Sequence, residues 1–114
     1  MRQEKLVRDK IPEIIRASGL QPLIRTADAE EYRGLLHAKL REEVQEFLNS
    51  DEDADELADI LEVVLTLAHE AGISQQQLEA IRATKAAERG GFTRRIVWAG
   101  NEAQKMNARQ DGSG

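Results

Sequence analysis

Apolar residues recur every three or four positions through most of the chain, the period of helices buried along one face. With successive residues set about 100° apart, Tyr32, Leu36, Leu40, Glu43 and Phe47 fall on one side of a helix over 28–49. Asp28 suits its N-cap, and Glu30 and Glu31 suit its first turn. A second stripe, Ile60, Val63 and Leu67, predicts a helix over 53–71 that stops at Gly72. Ser74 caps a further helix over 75–88, and Gly90-Gly91 ends it. A short helix over 11–18 has Asp9 as a cap, Pro12 in its first turn and Gly19 as its stop. QPLIRTAD reads as a connector with room for a brief extended run, and FTRRIVWAG as a strand-like arm or a last helical turn. Both prolines precede residue 23, so no obligatory breaker interrupts the later helices. The expectation is an all-α domain over 1–98, followed by a polar, loose tail over 99–114.

Composition narrows the function classes. A chain of 114 residues, 40% hydrophobic and 32% charged, has the balance of one small globular domain. The net charge of −5 implies no strongly basic surface, so nucleic acid is not an expected partner. No cysteine is present, which excludes disulfides, thiolate catalysis and cysteine-ligated metal. The opening MRQEKLVRDKIP has no apolar run, and no stretch approaches the roughly 20 apolar residues of a membrane span. The expected compartment is the cytoplasm, with no membrane partner.

The apolar stripes contain acids, and this changes the picture. Glu43 interrupts the first stripe with Glu46 beside it; Glu56 interrupts the second with Asp59 at its edge. Glu42 turns further round, towards water. Nine residues lie between Glu46 and Glu56, a connection short enough to make the two helices antiparallel neighbours. Both acidic pairs then meet near one end of the hairpin. Half-buried carboxylates repel and lose hydration unless they are paired or coordinate a metal. A hard divalent cation such as Mg²⁺ suits an all-oxygen set, whereas two histidines and no cysteine make zinc a poor fit. Acids at a homodimer seam, paired with Arg or Lys, are the structural alternative.

The order Glu42-Glu43-Val44-Gln45-Glu46, then Glu56-Leu57-Ala58-Asp59, resembles the E-E-x-x-E and E-x-x-D motifs of the all-α nucleoside triphosphate pyrophosphohydrolases, the MazG superfamily. KLVRDKIPEII, KLREEVQEFL, DELADILEVVLTLA and KAAERGGFTRRIV are similar, in the same order, to a branch often labelled phosphoribosyl-ATP pyrophosphohydrolase-like. The likeness runs over about residues 5–98 and implies a MazG-like helical bundle. It further implies hydrolysis of the α–β phosphate bond to a nucleoside monophosphate and pyrophosphate. Mg²⁺, or Mn²⁺, would be held by Glu43, Glu46, Glu56 and Asp59. Glu42 would stay outside the ligand set and orient a ligand or an attacking water. Glu43 and Glu46 are both candidates for general base. The nine-residue gap is shorter than in many MazG proteins, leaving less room for a loop around the nucleotide and leaving base selectivity open.

Two basic clusters complete the candidate site. Lys5, Arg8 and Lys10 lie near the start, and Lys85, Arg89, Arg94 and Arg95 near the end. Arg grips phosphate with a planar fork and Lys acts as a point charge. In the blocks that carry the resemblance, Arg8, Lys10, Lys85 and Arg89 are the expected phosphate contacts. Tyr32 and Trp98 suit a core or a dimer seam better than a base stack; His37 and His69 receive no role. Leu57, Ile60, Leu61, Val64 and Leu65 make the 53–71 helix apolar nearly all round, so it needs neighbours on several sides. A homodimer or homotetramer is expected, with a four-helix core built from two hairpins. The functions in view are nucleotide-pool house-cleaning, phosphoribosyl-ATP hydrolysis in histidine biosynthesis, and a helical dimerisation or regulatory module without turnover.

Overall fold

Asp28 accepts a hydrogen bond from the Glu31 N–H at 2.8 Å and starts the longest helix. In a computed structural model, which describes residues 4–103, the helices are α1 (Ile11–Ala17), α2 (Ala29–Asn49), α3 (Ala54–Glu70) and α4 (Gln75–Arg89). No strand occurs among the described residues, so the architecture is all-α. Most of the sequence-predicted tail, 104–114, lies outside them.

Local chemistry accounts for most boundaries. The Asp53 side chain accepts from the Asp55 N–H at 3.0 Å and caps α3. Ser74 and Gln77 form a reciprocal capping box on α4, each side chain accepting from the other's backbone N–H. At the end of α3, the Ile73 N–H returns to the Ala68 carbonyl at 2.8 Å and the Gly72 N–H to the His69 carbonyl at 3.0 Å. This pattern needs a left-handed residue between helix and loop, and Gly72 at φ 80° supplies it without a Cβ clash.

Two expectations need correction. Asp9 does not cap α1: Lys10 occupies that position in a helical conformation (φ −92°, ψ −3°), with no side-chain cap. Residues 21–28 are a connector without a strand, and FTRRIVWAG forms no strand-like arm, only a single turn in which the Arg95 N–H donates to the Phe92 carbonyl at 3.1 Å. Arg95 there sits at φ 60°, which breaks both repeats. Phe92 and Val97 are almost fully exposed, so no burial favours either regular structure.

α2 and α3 pack together as an antiparallel hairpin, α4 touches α3, and α1 packs on none of them. The turn over 50–53 fixes the hairpin. Ser50 Oγ donates to the Phe47 carbonyl at 2.8 Å and accepts from the Asp53 N–H at 3.2 Å, while Glu52 takes φ 60° to reverse the chain. The core is thin: Leu36, Val63 and Ala68 are its only buried apolar residues among those described, and none of them is fully shielded from water. Leu57 and Leu61 on α3 and Leu48 on α2 are half or more exposed. No helix among the described residues is long and apolar enough to cross a membrane.

Candidate metal centre

The turn over 50–53 brings the C-terminal third of α2 against the first turns of α3. Glu43, on the inward stripe of α2, is 5% exposed and is the one buried charged residue among those described. Carboxylate oxygens of Glu43, Glu56 and Asp59 lie within 4.8 Å of one another. A second group, Glu42, Glu43 and Glu46, meets the same criterion and shares Glu43. The four sequence-predicted ligands are thus joined through one buried carboxylate, with Glu46 on the exposed side.

Glu42 departs from the orientation that helical spacing suggests. Its backbone position points outward, yet the side chain is half-buried, because the Lys39 Nζ donates to its Oε2 at 2.7 Å and the Lys5 Nζ lies 3.9 Å from its Oε1.

Electrostatics divide the acids into two kinds. Burial pushes the Glu43 carboxyl above its ordinary range, and Glu46 and Asp59 add to the rise against an opposing pull from Lys39. Burial also raises Glu56, assisted by Glu46, Asp59 and Glu43. Glu42 is lowered, chiefly by its hydrogen bond from Lys39. Burial acts to lower Lys39, but its contacts with Glu42 and Glu43 prevail and raise it. Glu43 Oε1 lies 3.3 Å from the Lys39 Nζ, while Glu43 Oε2 and Glu56 Oε2 are buried with no hydrogen-bond partner. An orphaned buried carboxylate oxygen is costly. Two such oxygens beside Asp59 match the all-oxygen surroundings that Mg²⁺ or Mn²⁺ takes, so these residues fit the ion.

Of the predicted phosphate contacts, only Arg8 reaches the cluster: its Nη2 donates to Asp59 Oδ1 at 2.7 Å, across 51 positions of sequence. Lys10 is exposed at the start of α1. Lys85 and Arg89 line an open cleft of about 380 Å³ on α4 with Ile81 and Thr84, and make no ion pair with the acids among the described residues. Lys39 is the residue that sequence reasoning assigned no role. Its signal was present, since a Lys three and four positions before two acids forks between them on a helix. Tyr32 is half-buried on α2, whereas Trp98 is 77% exposed and donates to Asn101 Oδ1 at 2.9 Å.

Comparison with known proteins adds little to this geometry. No family model matches the chain. A 47-residue stretch is 57% identical to an uncharacterised protein of Mycolicibacterium smegmatis, covering 41% of this chain and 48% of that protein. The chain therefore spans about half the length of the curated relative it matches. No solved structure matches.

Proposed function

We propose that the chain is a Mg²⁺-dependent nucleotide pyrophosphohydrolase of MazG-like type, cleaving a nucleoside triphosphate or related nucleotide between the α- and β-phosphates. The observation that carries this reading is Glu43: a buried carboxylate with one oxygen on Lys39 and the other unpartnered beside Glu56 and Asp59. Glu43, Glu46, Glu56 and Asp59 would hold the ion. When bound, Mg²⁺ supplies Lewis-acid polarisation of a phosphoryl oxygen and neutralises charge on the triphosphate.

The remaining roles fall to the chain's own groups. Water attacks the α-phosphorus, the bond to the oxygen bridging to the β-phosphorus breaks, and that oxygen leaves with pyrophosphate. Glu43 or Glu46 takes the proton of the attacking water. Lys39 holds Glu42 and Glu43 in place, and Arg8 stands at the edge of the cluster where a phosphate would arrive.

The proposal includes a homodimer or homotetramer. Leu57 and Leu61 leave an apolar face of α3 uncovered, and a second hairpin on it would complete a four-helix core. Lys85 and Arg89, which make no ion pair with the acids of their own chain among the described residues, would then be available to the site of a neighbouring copy. Nucleotide-pool house-cleaning is the proposed role, in the cytoplasm.

The test is product analysis over a panel of canonical and modified nucleoside triphosphates, with phosphoribosyl-ATP included. Mg²⁺-dependent release of pyrophosphate and a monophosphate supports the reading, and release of orthophosphate contradicts it. Activity confined to phosphoribosyl-ATP selects the histidine-biosynthesis alternative. A non-catalytic helical module has one observation in its favour, because Lys39 and Arg8 already compensate three of the acids. Such a module shows no change in melting temperature with Mg²⁺ and a non-hydrolysable triphosphate, whereas a binding enzyme is stabilised by mass action.

A further inference from the structure

Building on the metal reading above, we propose that Arg8 is a displaceable counter-cation for Asp59. It holds the carboxylate in the metal-free protein, yields it to an entering divalent cation, and then turns its guanidinium to the phosphate that this cation binds.

Five carboxylates meet at this end of the hairpin, and three cations face them: Lys5, Arg8 and Lys39. The three are not equivalent. Lys39 has a side chain only 18% exposed and bonds two acids of its own helix, so it stays when an ion enters. Lys5 lies at 3.9 Å from Glu42 and outside the group formed by Glu43, Glu56 and Asp59. Arg8 comes from the segment ahead of α1 and makes a single bond to Asp59 Oδ1. Both its side chain (55% exposed) and that of Asp59 (38%) remain in contact with water. Pairs of this kind hold weakly, so a divalent ion displaces the guanidinium at a cost of only about 1.5- to 5-fold in affinity.

The alternative, a ligand permanently shared between Arg8 and the ion, places a monovalent and a divalent cation on one carboxylate. Their repulsion weakens the exposed Arg8 bond to Oδ1, and in the proposed exchange the mobile partner leaves. Once released, Arg8 is held near the cluster by its neighbours: Leu6 is half-buried, and Lys5 and Leu6 line a cleft with Leu35, Lys39 and Glu42. The planar fork of the guanidinium then meets phosphate oxygens rather than a single carboxylate oxygen. One residue thereby lowers the charge of the metal-free site and places the substrate.

Full-length wild type, Arg8→Gln, Arg8→Lys and Lys5→Gln are compared by Mn²⁺ titration followed by electron paramagnetic resonance. Binding of an α,β-imido nucleoside triphosphate in saturating Mn²⁺ is then measured calorimetrically, with circular dichroism as the check on folding. Arg8→Gln is expected to bind Mn²⁺ alone about 1.5- to 5-fold more tightly and the analogue about tenfold more weakly. Arg8→Lys, which keeps the charge, stays within about twofold of wild type for Mn²⁺, and Lys5→Gln stays within about twofold for both. Weaker Mn²⁺ binding by Arg8→Gln would show that Arg8 supports Asp59 as a ligand and overturn the exchange. Equal tightening by Arg8→Gln and Lys5→Gln would reduce it to a general field effect and overturn it too. Unchanged analogue affinity removes the phosphate half. A wild type that binds no Mn²⁺ overturns the proposed function with it, whereas a wild type that binds Mn²⁺ beside an unchanged Arg8→Gln overturns this inference alone.

Discussion

Replacing Glu43 by Gln keeps the shape of a buried side chain and removes its charge. In the metal-free protein, the Oε2 atom of Glu43 is buried without a donor, and Glu46 and Asp59 oppose its ionisation. Leaving such a group unsatisfied costs about 1–3 kcal/mol. Against this stands the Lys39 contact at 3.3 Å between two largely buried side chains; most of it survives, because the amide oxygen still accepts and Glu42 still holds Lys39 at 2.7 Å, so no buried charge is left alone. The balance favours the variant by about 1 kcal/mol, which for a domain of this size raises Tm by about 4–8 °C. The divalent ion reverses the order. At a metal concentration of about 100 Kd, wild type gains about 2.7 kcal/mol by mass action, and the variant, having lost a central ligand, gains far less. The assay is thermal unfolding of both proteins in EDTA and in excess Mn²⁺. A variant that melts higher in EDTA and lower in Mn²⁺ bears out the reasoning. A variant that melts lower in EDTA, with neither protein responding to metal, would show that Glu43 is a structural partner of Lys39 and no more.

The raised carboxyls of Glu43 and Glu56 give stability that is present below their unfolded values and lost as pH rises through the folded ones. The lowered Glu42 and Glu79 give stability that is lost only as pH falls through their depressed values. Acidifying the EDTA-treated protein from neutrality towards the ordinary carboxylate range is therefore expected to raise Tm before it falls at lower pH, and a Tm that declines throughout would contradict the shifts. Mn²⁺ affinity should weaken over the same interval, as protons compete for the ligands; calorimetry at two pH values checks this. Ser74→Ala removes one half of the capping box on α4 and should cost about 1 kcal/mol, read from urea denaturation. If the proposed dimer forms through α3, Leu57→Lys with Leu61→Lys should give a monomer in light scattering where wild type is a dimer, while a variant that keeps the wild-type dimer mass would move the proposed face elsewhere.

What the sequence disclosed tracks the range of each interaction. Asp28, Ser74 and Gly72 were legible because a cap or a stop depends on atoms within a few residues. Asp9 misled because its neighbour Lys10 already takes a helical conformation and leaves the cap position without a side-chain acceptor. The clustering of Glu43, Glu56 and Asp59 followed from helical spacing and a short turn, both readable from order alone. The side-chain direction of Glu42 was not, since Lys39 and Lys5 pull the carboxylate away from where its backbone position points. The Arg8–Asp59 pair joins residues 51 positions apart, and no local pattern encodes it. Lys85 and Arg89 make no ion pair with the acids of their own chain among the described residues, and in the proposed assembly their reach to them would depend on a second copy, which no periodicity within one chain specifies.

The central claim is that the paired acids of α2 and α3 are a cation site. Anomalous diffraction from a crystal grown with Mn²⁺ tests it most directly. The account predicts a strong peak bounded by Glu43, Glu46, Glu56 and Asp59, and no peak from the Asp59→Asn protein under the same conditions. No peak in wild type, with Glu43 still on Lys39 and Asp59 still on Arg8, would contradict it.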